Sequence, residues 1–226
     1  MYTTKNILNK MGIPAEGTTV AIQGMGNVGS ITAKLLHREG MKIIAVSDVS
    51  GGIYNPDGLN VPAILDYLSL NRKNLLKDYN EEGMSRITNE ELLEMDARVL
   101  VPAALENQIN ASNAHKIRAE VIVEAANGPV AADADGILQD RGITVVPDIL
   151  ANAGGVVVSY FEWVQNIQSV SWTEEEVNEK LKNIMDPAFE AVWDIAMKQN
   201  ATLRTGAYLI AVRRVVEAKA ARAIWP

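Results

Sequence analysis

The apolar run Thr19-Val20-Ala21-Ile22 passes through Gln23 into Gly24-Met25-Gly26-Asn27-Val28-Gly29, and a helix-like stretch, Ser30 to Glu39, follows at once. The next apolar run, Ile43-Ile44-Ala45-Val46-Ser47, closes on Asp48. Strand, glycines, helix, strand and carboxylate come in the order of the dinucleotide fingerprint, with the acid about 20 residues beyond the glycines. Gly24 would let the chain turn sharply out of the strand. Gly26 would put no side chain in the way of a pyrophosphate, and Gly29 would let the helix pack close to the sheet. Unbonded N–H groups and the positive dipole end at the helix start would hold phosphate charge. Asp48 would accept hydrogen bonds from the adenosine ribose hydroxyls. Two other readings fit the same residues: a Rossmann-like loop for a different nucleotide, such as S-adenosylmethionine, and Asp48 as a solvated strand-end carboxylate.

Outward from this unit, the spacing predicts a short helix capped by Thr3 or Thr4 and running through Met11, and a helix over Asn27–Arg38. Residues 50–58 read as a turn-rich segment, Pro62 to Leu70 as a helix opened by proline, and Asn71 to Gly83 as a polar, loop-rich excursion. Thr88-Asn89-Glu90-Glu91 forms a capping box before Leu92-Leu93. Three short apolar runs, Arg98–Val101, Val121–Val123 and Ile143–Val146, read as buried parallel strands. They end in Pro102-Ala103-Ala104, in Glu124 to Pro129 and in Pro147-Asp148, and strand carboxyl ends are where ligands sit in open α/β sheets. After Gly154-Gly155 the pattern turns helical: Val156 to Gln168, a long helix opened by the capping box Thr173–Glu176 and reaching Gln199, and a last one from Thr205 to Arg222. The expected architecture is α/β: a single domain over 1–226, with a Rossmann-type doubly wound, mostly parallel sheet over about 15–155 and a helical C-terminal tail over about 156–226.

A chain of 226 residues with 48% hydrophobic and 22% charged residues has the composition of an ordinary globular protein. It has no cysteine, hence no disulfide, thiolate metal site or thiol nucleophile. The net charge of −7 speaks against a general nucleic-acid binder. No stretch has the about 20 apolar residues of a membrane helix, and Met1-Tyr2-Thr3-Thr4-Lys5 has no apolar signal core. A cytoplasmic protein with no nucleic-acid or membrane partner is expected.

Several of these stretches resemble the glutamate/leucine/phenylalanine/valine dehydrogenase family, in particular its glutamate dehydrogenase branch. They are Val20 to Gly29, with Met25 where the family usually has Phe; Ser47-Asp48 with Gly51-Gly52-Ile53-Tyr54-Asn55; Leu100-Val101-Pro102-Ala103-Ala104; and Ala125-Ala126-Asn127-Gly128-Pro129, with Ala125 where Gly is more usual. The longest runs from Val146 to Val156 and on through Val158 to Asn166, and Leu203-Arg204 with Ala207-Tyr208 match near the end. The resemblance covers nearly the whole chain. It implies that Gly24, Met25, Gly26, Asn27, Val28 and Gly29 form the pyrophosphate loop, that Asp48 holds the adenosine ribose, and that Ala103 and Ala104 line the path beneath the cofactor. It implies that Asn127 reaches the nicotinamide ribose and Asn152 the carboxamide. It also implies that Val156 and Ser159 touch the substrate, Ser159 through a carboxylate. On the residues alone, Asn127 also reads as a turn residue, Asn152 as an N-cap and Ser159 as a packing position.

In that family a separate N-terminal domain carries the catalytic lysine, in a glycine-rich stretch, together with a substrate-binding lysine and a catalytic aspartate. No lysine here lies in such a stretch; Lys34 and Lys42 read as surface positions, and His37 and His115 fall on helix-like segments. Oxidising an amino acid needs a base for the ammonium proton. The expectation is therefore a cofactor domain, excised or engineered, that is inactive alone and has no catalytic residue or metal of its own. Its affinity would be dominated by ADP-ribose contacts, and Val212, Val215 and Val216 on the last helix would call for a partner such as a second copy of the chain. The cofactor expectation is NAD, because an acid ends the second strand and no Arg or Lys follows closely; family members that keep the acid and use NADP leave NADP open. A two-chain dehydrogenase and a non-catalytic binding or scaffold domain are the competing readings.

Overall fold

Val20, Ala21 and Ile22 are fully buried, and that burial puts the first strand in the middle of the sheet. The computed structural model describes residues 1–222, so the last four residues of the expected tail lie outside the described residues. The chain divides into two compact units, residues 3–152 with Met1 and residues 153–226 with Tyr2.

In the first unit, α1 (Tyr2–Lys10) precedes β1 (Thr19–Gln23), α2 (Asn27–Arg38), β2 (Lys42–Asp48), β3 (Gly51–Tyr54), α3 (Val61–Leu70) and β4 (Ser85–Ile87). Then come α4 (Asn89–Leu93), β5 (Val99–Pro102), β6 (Val121–Val123), α5 (Ala132–Asp140), β7 (Thr144–Val146) and α6 (Asp148–Ala151). The seven strands lie in the order β4-β3-β2-β1-β5-β6-β7. β1 pairs in parallel with β2 and β5, and the run β5, β6, β7 is parallel too. β3 is antiparallel to β2 and β4. The chain leaves β1 toward β2 and later returns to β5 on the other side, so the strand order reverses beside β1, where such sheets leave a crevice at the strand ends.

Two expectations need correcting. Gly51–Tyr54, read as turn, is a strand: Gly51 turns with φ +122°, and a Cβ on Gly52 would lie 2.8 Å from Ile87 Cγ1, so glycine admits the neighbouring β4. The strand escaped because its outer partner, β4, lies far along the chain. The polar excursion from Asn71 is loop-rich as read, with fully buried Leu76 in a single 3₁₀ turn, Leu76–Asp78, and the Arg86 guanidinium donating to the carbonyls of Leu76 and Tyr79. The first helix begins at Tyr2, with Thr3 and Thr4 buried inside it rather than capping it.

The Thr88 box forms as read: Thr88 Oγ1 accepts from the Glu91 N–H at 3.1 Å, and Glu91 Oε2 accepts from the Thr88 N–H at 2.7 Å. It starts α4, whose Leu92 and Leu93 are buried against the sheet. Thr88→Ala should cost about 1 kcal/mol in denaturant unfolding, and Thr88→Ser should restore most of it. An unchanged midpoint for the alanine variant would contradict the capping role.

The second unit is helical: α7 (Ala153–Gln168), α8 (Glu174–Gln199) and α9 (Leu203–Ala221). Gly206 lets α9 approach α8, since a Cβ there would lie 2.9 Å from the Val192 carbonyl oxygen. Val212, Val215 and Val216 are exposed on α9. No helix among the described residues is long and apolar enough to cross a membrane.

Candidate functional site

The cleft forms where β1 hands the chain to α2. Its volume is about 810 Å³, and the glycine turn, Ser47 to Val49, Arg72, Asn74, Leu75 and Ala103 to Leu105 line it. Gly24 sits at φ +93°, and a Cβ there would lie 3.0 Å from Ala104 Cβ. Its N–H donates to Ser47 Oγ at 3.3 Å. At Gly29 a Cβ would lie 1.7 Å from the Gly24 carbonyl oxygen, so close packing of helix on turn demands glycine. Gly26 differs from both. Its φ is −76°, open to any residue, and a Cβ there would meet no atom within 4 Å. Nothing in the fold of the chain itself requires glycine at 26. Met25 is half-buried, Asn27 and Val28 are exposed, and no side chain caps the start of α2. The first N–H groups of a helix have no partner within it and are available to an anion.

Asp48 ends β2 on the adjoining wall. Its Oδ1 accepts from the Ser50 N–H at 2.7 Å and the Ser50 hydroxyl at 2.5 Å, and its Oδ2 from the Leu76 N–H at 2.7 Å. A carboxylate offers about four acceptor positions, so roughly one is left for a ligand hydroxyl. Arg72, exposed and 24 residues further along, also lines the cleft. No Arg or Lys follows Asp48 closely in sequence, and yet the fold supplies one.

Beneath the turn lies a cluster that the sequence reading missed. Gln23, almost fully buried at the end of β1, donates from Nε2 to Asn89 Oδ1 at 2.9 Å and to Gln108 Oε1 at 2.7 Å. Its Oε1 is buried and has no hydrogen-bond partner among the described residues. A polar residue closing an apolar strand just before the glycines was the available signal. The Ala103 N–H donates to the Gln23 carbonyl at 2.8 Å, which joins the end of β5 to that of β1. Asp48 and Arg72 are the ionisable residues lining the cleft among the described residues. Among them, too, no group of three His, Asp or Glu is placed to hold a metal ion.

Asn127 and Asn152 do not line this cleft. They meet each other beyond β6 and β7, Asn152 Nδ2 donating to Asn127 Oδ1 at 2.7 Å. Asn152 closes α6 and directly precedes α7. Val156 and Ser159 are in the second unit, both exposed and nearly one turn apart on α7, which starts at Ala153 rather than Val156.

A mostly parallel sheet whose strand order reverses at a glycine-led strand-to-helix turn is a Rossmann-type nucleotide fold. The chain belongs to the Glutamate/Leucine/Phenylalanine/Valine dehydrogenase family, whose model matches residues 1–223. It is 49% identical over 211 residues to the catabolic NAD-specific glutamate dehydrogenase RocG of Bacillus subtilis, covering 93% of this chain and 49% of the relative. It is 48% identical to the NADP-specific glutamate dehydrogenase A1 of Halobacterium salinarum, covering 100% of this chain and 54% of that one. Among solved structures, the hetero-hexameric glutamate dehydrogenase of Thermus thermophilus in its Leu-bound form superposes with a TM-score of 0.89 at 32% identity, covering 100% of this chain and 52% of that one. The chain thus spans about half the length of the relatives it matches.

Proposed function

We propose that this chain is the nicotinamide-dinucleotide-binding part of a glutamate dehydrogenase. The observation that carries the reading is Gly26. Gly24 and Gly29 are explained by the chain's own packing, whereas the bare backbone at 26 is explained by a ligand that must come close to it. The uncapped start of α2 supplies the charge complement for a diphosphate. In such an enzyme the cofactor takes up the hydride from the amino acid's Cα, and the protein orients the ring and provides the proton acceptor. This chain would supply the first and not the second. The two ionisable groups at the cleft, a carboxylate engaged by three donors and a guanidinium, do not make a base for an ammonium proton. On its own the chain would bind cofactor and leave glutamate unoxidised, in keeping with the roles proposed for Asn127, Asn152, Val156 and Ser159 as contacts to groups that the rest of the enzyme helps to place.

Calorimetric titration tests the reading. ADP-ribose and NADH should both bind, with affinities within about tenfold of each other, because the adenosine and diphosphate contacts dominate. Absence of binding by either would overturn it. A dehydrogenase assay with glutamate on the same sample should show no turnover, and turnover would contradict the division of labour.

Asp48 favours NAD, and Arg72 in the lining of the same cleft favours a second reading, in which NADP is accepted as well. The relatives include both kinds. Arg72→Ala should weaken NADPH binding by about twofold to fivefold, the scale of one exposed charge pair, and leave NADH nearly unchanged. Equal losses for the two cofactors would remove Arg72 from the ribose end.

A further inference from the structure

Asp148 lies between the two segments that carry Asn127 and Asn152. Its side-chain Oδ2 accepts from the Gly128 N–H at 2.8 Å, immediately after Asn127. Its main-chain oxygen accepts from the Asn152 N–H at 3.0 Å. Its own N–H donates to Oε2 of Glu124 at 2.6 Å. Glu124 is completely buried, and its N–H donates to the Val146 carbonyl at 3.1 Å, so it is fixed to the end of β7. Burying a carboxylate is costly unless its hydrogen bonds do something with it. Here the two acidic side chains join the loop after β6 to the helix after β7.

Gly128 turns at φ +55°, and a Cβ there would meet nothing within 4 Å. Hydrogen bonds hold the turn: the Gly128 N–H donates to Asp148 and its carbonyl accepts from the Asn107 N–H at 2.8 Å. Asn127 is exposed at its tip. With Asn127 Oδ1 taken by Asn152, the pair presents an N–H₂ from Asn127 and a carbonyl oxygen from Asn152. One donor beside one acceptor complements a carboxamide or a ribose hydroxyl.

We propose that Asp148, seated by Glu124, is a positioning residue that sets the relative orientation of Asn127 and Asn152 for the nicotinamide half of the cofactor. The inference rests on the dinucleotide reading above. Asp148 touches no cofactor atom itself; its side chain acts through the Gly128 peptide, while Glu124 seats the helix that Asn152 closes.

The test is nuclear magnetic resonance on the full chain, unaltered and as Asp148→Ala, which removes the acceptor of the Gly128 N–H, with ADP-ribose and with NADH as probes. In the unaltered chain NADH should shift the Asn127 and Asn152 side-chain amide signals, and ADP-ribose should not. In Asp148→Ala the two signals should move toward free-asparagine positions and the NADH-specific shift should be lost, with ADP-ribose affinity held within about twofold. Asp148→Asn, which keeps an acceptor oxygen, should restore most of the loss. Unmoved asparagine signals in the alanine variant would overturn the inference. If ADP-ribose failed to bind the unaltered chain, the dinucleotide reading itself would fall, which is a separate result. Should Asp148→Ala not fold, amide exchange in the unaltered chain decides: the Gly128 N–H should be protected by about 100-fold or more, and exchange at the free-peptide rate would refute the clamp.

Discussion

Gly29→Ala should cripple the first unit. The added methyl would lie 1.7 Å from the Gly24 carbonyl oxygen, which is backbone and cannot swing aside as a side chain would. Either α2 lifts from β1 or the Gly24 turn opens. Overpacking usually costs about 1–3 kcal/mol, and a clash with main chain belongs at or beyond the upper end. For a unit of this size that corresponds to a fall in Tm of roughly 6 °C or more. Cofactor affinity should fall with it, since the same movement displaces the amides that would face the diphosphate. A variant as stable as the parent would mean that the turn and helix are not packed as described.

Gly26→Ser should do the reverse. The backbone at 26 is already in an extended conformation that serine adopts readily, and nothing lies within 4 Å of its Cβ. Serine is also a better N-cap than glycine, so stability should stay level or rise slightly. Binding should suffer twice over. The new hydroxyl would occupy the approach to the turn, and it would accept from the very N–H groups that a diphosphate needs. Loss of a hydrogen bond to a charged group is worth about 1.5–3 kcal/mol, or roughly 10- to 100-fold in affinity for both ADP-ribose and NADH. Thermal unfolding paired with calorimetry separates the two glycines. An unchanged affinity in Gly26→Ser would dissociate the bare backbone at 26 from ligand binding.

The contrast between these glycines marks how far the sequence could be read. The order strand, glycines, helix, strand and acid is local information, and it placed β1, α2 and β2 within a residue or so of where they lie. Capping boxes at Thr88 and Thr173 are equally local, and both form. What escaped depends on distant pairing. β3 and β4 are short, glycine-containing or polar, and become strands only against each other and β2. Arg72 carries no mark in its own neighbourhood; the buried anchor Leu76 and the Asp48 carboxylate shape the segment that brings it to the cleft. Asp148 read as one more strand-end residue, and the bond its side chain accepts from the Gly128 N–H exists only once β6 and β7 lie side by side.

The central claim is that a diphosphate rests on the main-chain amides at the start of α2. Amide chemical shifts in the isotope-labelled chain, followed as ADP-ribose is added, address it most directly. The account predicts the largest shifts at Gly26, Asn27, Val28 and Gly29, together with slower amide exchange there at saturation. If those four signals stayed in place while signals elsewhere moved, the ligand would sit at another site and the account would be wrong.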